Sequence, residues 1–339
     1  MSALHHRLLA TIVAVGAYSS PALAHAQLWA LEDRSYFDPH ISSPRDAMIK
    51  VLFPAWSDAF EYAQTEGGRL VWDISLGKEI PLLGFETSPT KDDVLPRGRW
   101  GFGLWLPVGF HMIEDLTGDD SAPILDTDYR FSAMLKARYA LWDELWLKAR
   151  FSVGHESTHI GDEFALAAQR APAPSNFLRV NVSHEDWDIA GGVDATFGDH
   201  EIDLLAGVSG LLRPSRGYYS TSTLETNGVI VPRSHDNLEP YFSAQYFYLA
   251  GVLGSWAPWA SVDARHRSIY DYARASAATP EERQWSLNLL IGLRDQEQQY
   301  GQKGKIDLYG RVYYGVNPAG QFRNDGDYLL FGIGIHVPI

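Results

Sequence analysis

From Leu70 onward the chain alternates apolar and polar positions in segment after segment. Leu70, Trp72, Ile74 and Leu76 enclose Val71, Asp73 and Ser75, and Trp100, Phe102, Leu104 and Leu106 enclose Gly101, Gly103 and Trp105. The pattern recurs over 129–139, 145–153, 178–182, 189–197, 202–208, 242–248, 260–264, 287–293, 306–314 and 329–339. A period of two is the mark of a β-strand with unlike faces. About twelve such segments of roughly ten residues predict an all-β chain whose strands are long enough to cross a bilayer when tilted. The expected fold is a transmembrane antiparallel β-barrel of about twelve strands.

A soluble β-sandwich shows the same period and is the alternative. Segment length, Tyr and Trp near the segment ends, and an apolar strand closing the chain favour the barrel. Tight turns are expected at 141–143, 185–186 and 198–200, and long connections at 110–127, 158–176, 213–239 and 269–284. Asn227-Gly228 marks a further hairpin in the third of these. Counting twelve strands back from a periplasmic C-terminus puts residue 158 on the periplasmic side, whereas its long connection argues for the cell surface. One strand is therefore missed or overcounted, and 48–53 is the first suspect.

The first 26 residues change the picture by giving it a compartment. Arg7 precedes the apolar run 8–17, and small residues at Ala22, Ala24 and Ala26 offer cleavage sites, as in a secretory signal peptide. The domain reading is a signal at 1–26, an N-terminal periplasmic or plug segment at 27–60, and a barrel domain at 61–339. The expected location is a Gram-negative outer membrane, with its lipids, lipopolysaccharide and the barrel-assembly machinery as partners. A net charge of −14 argues against nucleic acid as a partner, and with no cysteine the fold rests on burial and backbone pairing.

Candidate chemistry concentrates in one place, G-H-E-S-T-H-I-G-D-E-F at 154–164, where a strand reaches its rim. His155-Glu156-Ser157-Thr158-His159 matches the zinc-protease pattern H-E-x-x-H, but that motif needs a helix to bring both histidines to one metal. On a strand, residues four apart lie about 13 Å apart. Ester hydrolysis is the second reading: Ser157 as nucleophile, His155 as base about 6.6 Å along the same face, and Glu163, Asp162 or Asn176 orienting the imidazole. His159 belongs to the cluster but is expected beyond reach of Ser157. The third reading is structural, with the polar rim satisfying backbone groups. No cofactor is expected, save calcium if the cluster hydrolyses lipids.

The stretch 157–164 resembles the hallmark Ser-Ser/Thr-His-Leu/Ile-Gly-Asp-Glu-Tyr/Phe of an uncharacterised family of exported bacterial envelope proteins. D-T-D-Y-R at 126–130, N-P-A-G-Q-F at 317–322 and the run from Tyr328 are similar too. That resemblance implies an envelope barrel and no activity. The His155-x-Ser157 pair alone resembles the arrangement in outer-membrane phospholipase A and the lipid A deacylases, which implies a lipid-facing hydrolase.

On the other face, Arg130, Lys136, Arg138, Lys148 and Arg150 oppose Asp188, Asp194, Glu201 and Asp203. These charges are expected in the lumen, closing it by cross-strand pairs or lining a narrow pore. The expected role is structural or that of a narrow pore.

Overall fold

The computed structural model describes residues 26–31, 36, 39–44, 46–58, 68–87, 99–117, 124–161, 182–212, 238–268, 283–296, 306–319 and 327–338. The signal-like leader, Asp162, Glu163, Asn176 and the Asn227-Gly228 hairpin lie outside them. The described strands are β1 (Ala26–Ala30), β2 (Ile49–Ser57), β3 (Arg69–Thr87), β4 (Trp100–Asp115), β5 (Ile124–Trp142), β6 (Leu145–Ile160) and β7 (Val182–Phe197). They continue as β8 (His200–Leu211), β9 (Glu239–Tyr248), β10 (Trp256–Ser268), β11 (Arg283–Asp295), β12 (Asp307–Gly315) and β13 (Tyr328–Val337).

Twelve strands, β2 to β13, form a closed antiparallel ring. Each pairs with its sequence neighbour, and β13 closes on β2 from Leu330↔Ser57 to Val337↔Ile49. β1 stands beside the ring's first strand, pairing with β3 below the point where β2 leaves it. The wall begins at Ile49, inside the stretch 27–60 that the sequence set apart from the barrel.

The ring puts carbon outward and charge inward, the reverse of a soluble protein. Along β6, Leu147, Phe151 and Val153 are exposed while Lys148, Arg150 and Ser152 are buried. Exposed Trp142, Phe197 and Tyr246 form a girdle near one rim, and Tyr129, Trp285 and Tyr314 near the other. A closed antiparallel wall with an even strand number, an apolar outer band and aromatic rims is the architecture of an outer-membrane barrel, since backbone in lipid must pair within the protein. The protein is a transmembrane barrel of this kind.

Turns 143–144 and 198–199 lie at the rim that carries Val337, with Gly198 at φ 59° where a side chain would be strained. The strand ends joined by 161–181, 212–238 and 269–282 lie at the opposite rim. Short turns face the periplasm and long loops the exterior, so the 155–159 cluster sits on the outer side. The conflict in the strand count is thereby explained. Glu185–Asp186 is no turn: β7 runs through it, paired with β6 and β8. The sequence pattern gives one strand too many there and one too few at 49–57, so its total agrees with the structure while its orientation does not.

The lumen is filled from the N-terminal side. Backbone Ile41 donates to Gln245 at 2.7 Å, Asn288 donates to Ser42 O at 2.5 Å, and Arg265 donates to Ser43 Oγ at 3.1 Å. Lys50 Nζ donates to the carbonyls of Ile41 and Ser43. Apolar side chains share the interior: Ile41 and Met48 pack in one cluster with Trp259, Leu290, Tyr309 and Tyr328. Nearer the short-turn rim, Trp29, Tyr36, Trp105 and Met134 form a second cluster, and the Trp29 indole donates to Tyr36 Oη at 3.1 Å.

Candidate functional site on the barrel wall

The pleat of β6 divides the polar cluster between two sides of the wall. His155, Ser157 and His159 point outward with Phe151 and Val153, whereas Glu156 and Thr158 are buried in the lumen. This overturns the H-E-x-x-H reading: with no helix, the glutamate and the histidines are separated by the barrel wall.

On the outer side the structure pairs these groups differently from the sequence expectation. Ser157 Oγ lies 3.1 Å from His159 Nε2. His155 turns instead to β7, where its Nε2 lies 3.4 Å from Ser183 Oγ. The expected His155–Ser157 dyad is replaced by a Ser157–His159 pair, and His159 is not beyond reach. The cause is the period of two: Ser157 has a histidine on each side, about 6.6 Å away along the strand, and spacing cannot choose between them. Neighbouring rings make the choice. Phe131 lies 5.5 Å from the His155 ring and Tyr129 lies 6.0 Å from His159 in edge contact. Ser183 is the participant that sequence reasoning missed, for it becomes a neighbour only through the β6–β7 register, Ser157↔Ser183.

The level on the wall matters chemically. Ser157 pairs across from Tyr129, one of the outer aromatic girdle. Girdle residues sit where acyl chains meet headgroups, and ester bonds lie at that depth. A hydroxyl bonded to an imidazole nitrogen is the arrangement that activates a serine nucleophile. The orienting groups expected at Asp162 and Glu163 fall outside the described residues.

On the inner side the expected pairing is present in Lys148–Asp203 and Arg150–Asp188, while Arg130, Lys136 and Arg138 take other acids, and the N-terminal segment joins the network. Lys136 pairs with Glu79, Arg138 with Glu86, and Lys148 with Asp203, to which His40 also reaches at 2.9 Å. Arg150 bonds Asp188 and, through one nitrogen, both oxygens of Asp46 at 3.1 Å. The Asp46 carboxyl is pushed up by burial, but Arg150 and Arg265 more than offset this and hold it well below the usual carboxylate range. Arg311 bridges Asp73 at 2.6 Å and Asn288 at 2.8 Å. At the long-loop rim, Arg130 joins Glu156 at 3.1 Å and Asp186 at 2.9 Å. Between these pairs remains a lumen cavity of about 80 Å3, room for a few waters.

No family model matches the chain, and no curated protein matches it. Among solved structures it is similar to outer membrane phospholipase A from Escherichia coli, at 12% identity over 90% of this chain and 95% of that one, with a TM-score of 0.45. It is also similar to the β domain of the Bordetella autotransporter BrkA, at 12% identity over 86% and 98%, with a TM-score of 0.37. A Pseudomonas aeruginosa FadL homologue is similar at 14% identity over 80% and 67%, with a TM-score of 0.34. At these scores the likeness stops at the general form of the wall, which stands here on its own strand pairing.

Proposed function

We propose that this outer-membrane barrel is a closed one, with a structural role in the envelope rather than that of an open diffusion channel. One observation carries this reading: residues 39–44 and 46–48 occupy the lumen, bonded to β6, β8, β9, β10 and β11. Twelve strands enclose more space than the filled eight-stranded barrels, and this segment takes up the difference. The test is conductance of refolded protein in planar bilayers. The intact chain is expected to give no steady current, and a chain lacking residues 36–46 to give open-pore steps. Steady current from the intact chain would defeat the reading.

A second reading is favoured by the 3.1 Å contact between Ser157 and His159 on the lipid side: hydrolysis of acyl esters in phospholipid or lipopolysaccharide. His159 Nε2 takes the hydroxyl proton as Ser157 Oγ bonds to the acyl carbon. The lysolipid leaves with that proton, and water then releases the fatty acid from the serine ester. Calcium would serve such a site by neutralising headgroup charge. Fatty-acid release should occur with wild type, fall by several orders of magnitude in Ser157→Ala and His159→Ala, and survive in His155→Ala. No release by wild type with calcium present, or equal release by all four proteins, leaves the outer cluster structural.

A further inference from the structure

On the lumen side of the wall behind Ser157, three buried side chains from two strands converge. Glu156 on β6 faces His184 on β7 across the ladder, and Asp186 follows two residues on. One ligand atom from each lies within 4.8 Å of the other two. The Asp186 Oδ2 to His184 Nε2 separation is 3.9 Å, within the roughly 4.2 Å that two ligands on one ion can span when each bond is about 2.1 Å.

Arg130 already bonds both carboxylates, but it uses one oxygen of each, Glu156 Oε2 and Asp186 Oδ1. The oxygen of Asp186 nearest His184 is the other one, Oδ2. The guanidinium can therefore stay in place, holding the carboxylates from behind, while an ion takes the remaining oxygens. Metal-ligating carboxylates are commonly held in this manner by a second partner.

A separate observation points to a missing cation. Asp126, on β5 and paired with Ile160 four residues beyond Glu156, is 0% exposed, and no side-chain donor among the described residues reaches either of its carboxylate oxygens. Asp128 and Glu156 are among the charges that act on it. Asp128 can bridge to it only through a shared proton, while its own cationic neighbour is His111 at 3.7 Å. Four carboxylates, those of Asp126, Asp128, Glu156 and Asp186, thus lie at the long-loop end of the lumen, with Arg130 and His111 among their cationic neighbours. Buried carboxylates require compensation by a proton or a cation.

We infer that Glu156, His184 and Asp186 form a binding site for one divalent transition-metal ion inside the barrel. One imidazole nitrogen and two carboxylate oxygens suit zinc, manganese or iron(II) better than calcium or magnesium, which take oxygen ligands throughout. Asp126 and Asp128, bridged by a shared proton, add one negative charge at this end of the lumen. The site is distinct from the exposed histidines His155 and His159, which lie on the other side of the same strand.

The probe is Co2+, titrated into tag-free refolded barrel that has been treated with chelator, with visible absorption and equilibrium dialysis as readouts and heat-modifiable gel migration to verify the fold. One equivalent is expected to bind and to be displaced by Zn2+. Glu156→Gln, His184→Asn and Asp186→Asn should each weaken binding at least ~10-fold, and Asp126→Asn by less. His155→Ala/His159→Ala should bind as wild type does. Absence of stoichiometric binding to the folded wild type overturns the assignment, and that result does not depend on any variant folding. So does retention of binding in the three ligand variants, or its loss only in His155→Ala/His159→Ala.

Discussion

Asp46 and Arg150, 104 positions apart in the chain, meet inside the barrel with both carboxylate oxygens 3.1 Å from one guanidinium nitrogen. The pair fastens the lumen segment to β6. Removing one member of a buried pair leaves an uncompensated charge, which costs about 3–5 kcal/mol. Arg150 keeps Asp188 as a partner, so Asp46→Ala is expected near the lower end of that range. Urea midpoints in detergent micelles, followed by tryptophan fluorescence, measure it.

The same pair sets a pH dependence. Folding holds the Asp46 carboxyl below its ordinary value of 3.8, so protons bind the unseated segment more readily than the seated one. Its contribution is complete above that ordinary value and is lost as pH falls through it toward the folded value. Comparing urea midpoints from neutral pH down to about pH 3, the difference between wild type and Asp46→Asn should shrink as the medium becomes acid. A constant difference would show that Asp46 is not ionised against Arg150.

Adjacent residues on β6 should fail in different ways. Leu147→Arg places a guanidinium in the lipid-facing band, where it costs roughly 2–4 kcal/mol near mid-depth, and barrel assembly should be blocked. Lys148→Gln leaves the outer face unchanged. It is nonetheless not harmless, as lumen direction alone would imply, because Lys148 is buried and paired with Asp203. The variant should insert and then unfold at lower urea. Membrane fractionation separates the two outcomes.

The aromatic cluster near the short-turn rim depends on a bare backbone. A β-carbon added at Gly84 would run into the Trp29 ring. Gly84→Ala should therefore cost about 1–3 kcal/mol through forced repacking. Trp105→Ala, which empties the centre of the cluster, should cost about 3–5 kcal/mol. Equal small losses for both would mean that the cluster does not brace the fold.

Fold class was legible because the outer face of most strands is apolar at every second residue. It failed where that contrast fails. At Ser183, His184, Glu185 and Asp186 both faces of β7 are polar, one toward the lumen and one toward the outer girdle, so a continuous strand looks like a turn. In β2 the lumen side carries Leu52 and Ala55 and the strand contains Pro54, a residue that argues against an interior strand. The location of the candidate chemistry was legible and its pairing was not. Ser157 choosing His159, and Glu156 facing His184, are set by side-chain rotation and by registers between strands.

The lumen segment also constrains the order in which the molecule can be completed. Its contacts span 163 positions from His40 to Asp203, 204 from Ile41 to Gln245 and 246 from Ser42 to Asn288. Contacts so distant in sequence are slow to form, because the intervening chain must first be ordered. The part of the interior that is synthesised first is therefore the part that is seated last, once β8 to β11 exist to receive it. A segment that must wait in water is served by being polar, and His40, Ser42, Ser43 and Asp46 make it so. The side chains that fasten this segment inside the barrel are also those that keep it from sticking to anything else before it is seated.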